Sequence, residues 1–73
     1  MNERIVTDPL VCSGKPVIRG TRIMVGNILG MVAGGYTSER IVQAYPELSC
    51  EDVSAAFEYA ATVVNEEQVF ANA

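Results

Sequence analysis

Ser49-Cys50-Glu51-Asp52-Val53-Ser54-Ala55-Ala56-Phe57-Glu58-Tyr59-Ala60-Ala61-Thr62-Val63-Val64 is the stretch that decides the fold. Ser49 followed three residues later by Asp52 has the shape of a capping box. In that motif a hydroxyl and a carboxylate each satisfy the other residue's main-chain N–H at a helix start. Asp is shorter than the Glu or Gln usual at the second position. Val53, Ala56, Phe57, Ala60 and Val64 then recur at helical spacing and predict one buried stripe. Ala55, Ala56, Ala60 and Ala61 are strong helix formers, small enough to admit a close neighbouring helix. The pattern predicts a helix over 50–70.

Working back from this segment, Pro46-Glu47-Leu48 is a tight turn. Before it, Thr37 is suited to cap a helix. Ile41, Val42 and Tyr45 give that helix an apolar stripe over 38–45. Pro46 ends it, because the residue before a proline is driven out of the helical region. Two helices across so short a turn have the outline of a helix-turn-helix. Further back, Val25, Ile28, Leu29 and Val32 mark one face of a helix over 26–34. Gly34-Gly35 supplies its stop. Gly26 and Gly30 weaken it by about 1 kcal/mol each relative to Ala, unless another backbone approaches there.

Residues 1–25 read differently. Ile5-Val6, Pro16-Val17-Ile18 and Ile23-Met24-Val25 are short β-branched pieces separated by turn formers, which predicts one or two very short strands. Gly14 and Gly20 are expected to hold turns at positive φ, and Thr21 to satisfy a main-chain group beside the first helix. Arg22 is expected either to meet a carboxylate of the third helix, such as Glu58, or to face a partner.

The chain has 73 residues, two Cys and no His. A single domain of that size, 1–73, buries only about 60% of its unfolded surface and gains from a partner. Cys12 and Cys50 are too few and too far apart for a zinc site or a disulfide scaffold. They read as small packing residues, reduced in a cytoplasmic protein. No signal-peptide pattern opens the sequence, and no apolar run approaches the ~20 residues that span a bilayer.

Charge is unevenly placed. Residues 1–40 hold five basic and three acidic side chains, and residues 41–73 hold six acidic and none basic. Asymmetry of this kind marks two faces with different partners. The cations Lys15, Arg19, Arg22 and Arg40 are candidates for contact with phosphates or with carboxylates of a partner protein. Recognition by the third helix in the ordinary helix-turn-helix manner is disfavoured. Its first turns offer Cys50, Glu51, Asp52 and Ser54, and no Arg, Lys, Asn or Gln to read bases. Val63, Val64, Val69 and Phe70 make the end of that helix apolar enough to want an oligomeric or protein partner.

Catalytic signatures are missing. Without His, the commonest general base and the Ser–His and Cys–His arrangements are excluded. Glu51 and Asp52 are better used at a helix N-terminus, where they complement its dipole. Ser13-Gly14-Lys15-Pro16 lacks the earlier Gly and the following Ser or Thr of a phosphate loop. The expectation is a non-enzymatic binding module with no cofactor, metal or small-molecule substrate.

Asp8-Pro9-Leu10-Val11-Cys12-Ser13-Gly14-Lys15-Pro16-Val17-Ile18-Arg19-Gly20-Thr21-Arg22-Ile23 resembles the signature of a small bacterial family known as domain of unknown function 433. Gly35-Tyr36-Thr37-Ser38-Glu39-Arg40-Ile41 and Tyr45-Pro46-Glu47-Leu48-Ser49-Cys50-Glu51-Asp52-Val53 fit the same pattern, so the resemblance runs from about Ile5 to Ala61. It implies a mainly α fold: a three-helix, helix-turn-helix-like (homeodomain-like or winged-helix-like) bundle preceded by a short β-hairpin or strand pair. It also implies an antitoxin-type partner of a PIN-like nuclease toxin and, by analogy of fold, DNA binding, while the small size of the chain leads to the expectation of a homodimer or higher oligomer. The chain departs from the pattern at Arg40, where many members carry Glu.

Overall fold

The computed structural model describes residues 3–71, with side chains through residue 66. Two short strands, β1 (Ile5–Val6) and β2 (Val17–Ile18), pair antiparallel, with Ile5 opposite Ile18 and Val6 opposite Val17. Three helices follow: α1 (Val25–Ala33), α2 (Ser38–Ala44) and α3 (Cys50–Ala71). This is the mainly helical arrangement, with a strand pair in front, that the sequence predicts.

The link from β1 to β2 is held by its own polar groups. The Asp8 carboxylate accepts from the Leu10 N–H at 2.9 Å, and the Asp8 carbonyl from the Val11 N–H at 2.8 Å. Gly14 takes a φ of +81° and Gly20 one of +79°, the left-handed region their turns require. Cys12 and Ser13 also lie there, at φ 51° and 59°, which the sequence does not announce. L-residues enter this region at a cost of roughly 1–2 kcal/mol each.

Thr21 closes the second turn. Its hydroxyl donates to the Ile18 carbonyl at 2.8 Å and accepts from the Ile23 N–H at 3.0 Å. Met24 then bridges back to Val17, and the Val25 N–H donates to the Pro16 carbonyl at 3.0 Å, delivering the chain into α1.

Each helix end has an identifiable cause. α1 stops at Gly34-Gly35. Gly35 sits at φ +97°, the Gly35 N–H reaches the Val32 carbonyl, and the Tyr36 N–H reaches the Met31 carbonyl, a Schellman ending. The Thr37 hydroxyl accepts the Arg40 N–H at 3.2 Å and caps α2. Tyr45, ahead of Pro46, leaves the helix at φ −125°, ψ 86°. The Leu48 N–H closes the turn on the Tyr45 carbonyl at 2.9 Å, and Leu48 drops into the core. Ile18, Ile28, Ile41, Val53 and Ala56 are fully buried beside it, drawn from β2 and all three helices. Each large aliphatic among them contributes about 1.5–3 kcal/mol by leaving water.

The buried stripe of α3 differs from the predicted one. Asp52, Val53, Ala55 and Ala56 face inward, with Tyr59, Ala60 and Val63 half-buried, whereas Phe57 and Val64 are 39% and 52% exposed. Close helix approach explains the difference: the small Ala55 and Ala56 fit against the neighbouring elements where a Phe does not. Cys50 is likewise exposed and is no packing residue, and Cys12 is half-buried. Gly26 and Gly30 face open space, so no backbone approach accounts for them. No helix among the described residues is long and apolar enough to cross a membrane.

Candidate functional site

The first turn of α3 is built by a complete capping box. The Asp52 N–H donates to the Ser49 hydroxyl at 3.2 Å, and the Ser49 N–H donates to Asp52 Oδ2 at 2.9 Å. The short Asp side chain therefore reaches. Its other oxygen, Oδ1, accepts from Arg4 Nη1 at 2.8 Å, with the Asp52 side chain 13% and Arg4 51% exposed. Burial pushes the Asp52 carboxyl up, but the Ser49 N–H and the Arg4 guanidinium outweigh it and hold the group below its usual value of 3.8. This arrangement fixes β1 to the start of α3. Both carboxylate oxygens are engaged structurally, so Asp52 is a joint of the fold and leaves Glu51 as the exposed acid of the first turn.

Beyond that turn, α3 presents an outward stripe. Cys50, Ser54, Phe57, Ala61 and Val64 are all exposed and follow one another at spacings of four, three, four and three, one face of a helix. Glu51, Glu58 and Thr62, also exposed, run along one flank. The result is an apolar ridge centred on Phe57 with an acidic margin. Val63, on the other side of the helix, lines a groove with Ile5, Thr7, Tyr59 and Thr62, rimmed by Glu58 and Glu66. The predicted contact set Val63, Val64, Val69 and Phe70 is therefore divided. Val64 joins the ridge, Val63 the groove, and the side chains of Val69 and Phe70 lie outside the described residues. Phe57 was the residue missed. Its size among alanines was the available signal, because a stripe of small residues is the one that a close neighbour covers.

The cations are not gathered into one site. Lys15, Arg19, Arg22 and Arg40 are all exposed. Arg19 lines a shallow depression with Glu3, Arg4 and Asp52. Arg22 lines another with Val6, Asp8, Val17 and Thr21, and Glu58 belongs to neither. Of the two expectations for Arg22, a carboxylate of the third helix or a partner, the first is not what its surroundings favour: Arg22 is exposed beside Val6 and Asp8, and the ion pair to α3 is made by Arg4 with Asp52. The Arg40 guanidinium sits 5.1 Å from the Tyr36 ring centroid, a cation–π contact. Among the described residues, no three His, Cys, Asp or Glu side chains converge to hold a metal ion.

Comparison with known proteins follows the same outline. The family described as "Protein of unknown function (DUF433)" matches residues 5–60. The uncharacterized protein y4eO of Sinorhizobium fredii is 38% identical over 58 residues, covering 80% of this chain and 26% of its own length. The chain thus spans about a quarter of that relative. A crystal structure of a DUF433 member from Anabaena variabilis superimposes with a TM-score of 0.79 at 35% identity, covering 94% of this chain and 66% of that one.

Proposed function

The chain belongs to the DUF433 family, and on that premise we propose that it is a non-enzymatic, antitoxin-like binding module that neutralises a PIN-like nuclease through the outward face of α3. The observation that carries this reading is the exposed Cys50–Ser54–Phe57–Ala61–Val64 ridge with Glu51 and Glu58 along its flank. An amphipathic helix offering anchors at such spacing suits an apolar groove on a partner. The acidic margin suits a particular kind of groove. A nuclease holds a polyanion and lines its cleft with cations, and a helix without a single Lys or Arg is complementary to that cleft. An aromatic anchor at the centre of the ridge is the type of residue that dominates binding energy.

The direct test takes PIN-like nucleases of the host, each purified and assayed on RNA. Stoichiometric addition of the chain is expected to stop cleavage. Undiminished cleavage with the chain in excess contradicts the reading.

A second reading, DNA binding, is favoured by the exposure of Lys15, Arg19 and Arg22 in the N-terminal part of the chain. It requires log K to fall linearly with log salt, and the slope to flatten when all three are changed to Ala.

A further inference from the structure

We propose that the outer edge of β1 is the seam of a homodimer, in which β1 of a second copy adds antiparallel and the two sheets become one of four strands.

The alternation of the ladder shows which main-chain groups are spare. The Arg19 N–H donates to the Arg4 carbonyl at 2.8 Å, and Val6 stands opposite Val17. In an antiparallel pair such bonded positions alternate with positions whose N–H and C=O point away from the neighbour. Arg4 and Val6 therefore face β2, while Ile5 and Thr7 turn their N–H and C=O to the outer edge. β2 obeys the same rule on its own side. The Ile18 N–H donates to the Ile23 carbonyl, and the Ile18 carbonyl accepts from Thr21. On the β1 side, no hydrogen bond beyond the ladder takes up the Ile5 or Thr7 main chain among the described residues. An edge with unpaired groups is a template for another strand.

A second β1 fits this edge by symmetry. With a two-fold axis at Val6, Ile5 lies opposite Thr7 of the second copy, and both residues of each such pair point their N–H and C=O at one another. The axis generates two of these pairs, hence four hydrogen bonds. Adjacent residues of one sheet face project alike, so Ile5 of the second copy comes over the groove between β1 and α3, which Tyr59 and Val63 line.

This seam lies on a different side of α3 from the Phe57 ridge, so it stands or falls independently of the nuclease reading.

The test is sedimentation equilibrium on the full chain and on Thr7→Pro, which removes an exposed, outward N–H and two of the four bonds. The wild-type chain is expected to be a dimer, and the variant to dissociate roughly thirtyfold more readily. A monomeric wild type, or a dimer indifferent to Thr7→Pro, overturns the proposal. Should the variant fail to fold, amide exchange in the wild type decides. Protection of the Ile5 and Thr7 amides that rises with protein concentration supports the seam, and exchange independent of concentration overturns it.

Discussion

Arg4 and Asp52, 48 residues apart in sequence, meet at 2.8 Å, and the same carboxylate closes the capping box with Ser49. One side chain thereby joins the N-terminal strand pair to the start of the longest helix. Asp52→Ala removes the cap and the ion-pair partner together and is expected to lower stability by about 2 kcal/mol. Arg4→Ala leaves the cap in place and removes a half-exposed guanidinium, with an expected loss under about 1 kcal/mol. Urea unfolding of the two variants checks the order. Equal losses would show that the cap is not the larger part.

Acid should weaken the same joint. The folded-state pKa of Asp52 lies below its ordinary value of 3.8, so the unfolded chain binds the proton more readily than the folded one. Its contribution is complete above the unfolded value and disappears as pH falls through the lower folded one. Melting temperature followed from pH 6 downward is expected to drop in the wild type below about pH 4. Asp52→Asn should start lower and fall less steeply over that window.

The glycines of α1 and its ending should behave oppositely. Gly26 is helical, and an added Cβ would meet nothing within 4 Å. Gly26→Ala is expected to stabilise by about 0.5–1 kcal/mol. Gly35 lies at φ +97°, where a Cβ is strained, and Gly35→Ala is expected to destabilise by about 1 kcal/mol or more. Thermal melts of the pair give opposite signs if the Schellman ending is formed as described.

Local chemistry is what made the helices legible. Thr37, Ser49, Pro46 and Gly35 act on their own neighbours through one or two hydrogen bonds or a fixed dihedral, so their positions alone placed the caps and stops. Thr21 and Gly20 were readable for the same reason. The rotation of α3 was not, because which face is buried depends on how near α1 and α2 come, and periodicity admits both Phe57 and Ala55 as inward. The Arg4–Asp52 pair was hidden by its long separation in sequence. The left-handed Cys12 and Ser13 were hidden because neither residue type favours that region. Of the candidate surface, Val64 was named from its apolar surroundings, whereas Phe57 was assigned to the core and emerged only when the helix was set on its neighbours.

The ridge on α3 carries the functional proposal, and one variant isolates it. Phe57 is 39% exposed and outside the core cluster, so Phe57→Glu loses part of the ring's burial and is expected to cost about 1–2 kcal/mol while the chain stays folded. The decisive measurement is the dissociation constant, by calorimetry, of wild type and Phe57→Glu for a purified PIN-like nuclease of the host. The account predicts at least a roughly thirtyfold loss of affinity, the size of an anchor residue's effect, with RNA cleavage restored in parallel. Equal affinity for the folded variant would contradict the assignment of this face.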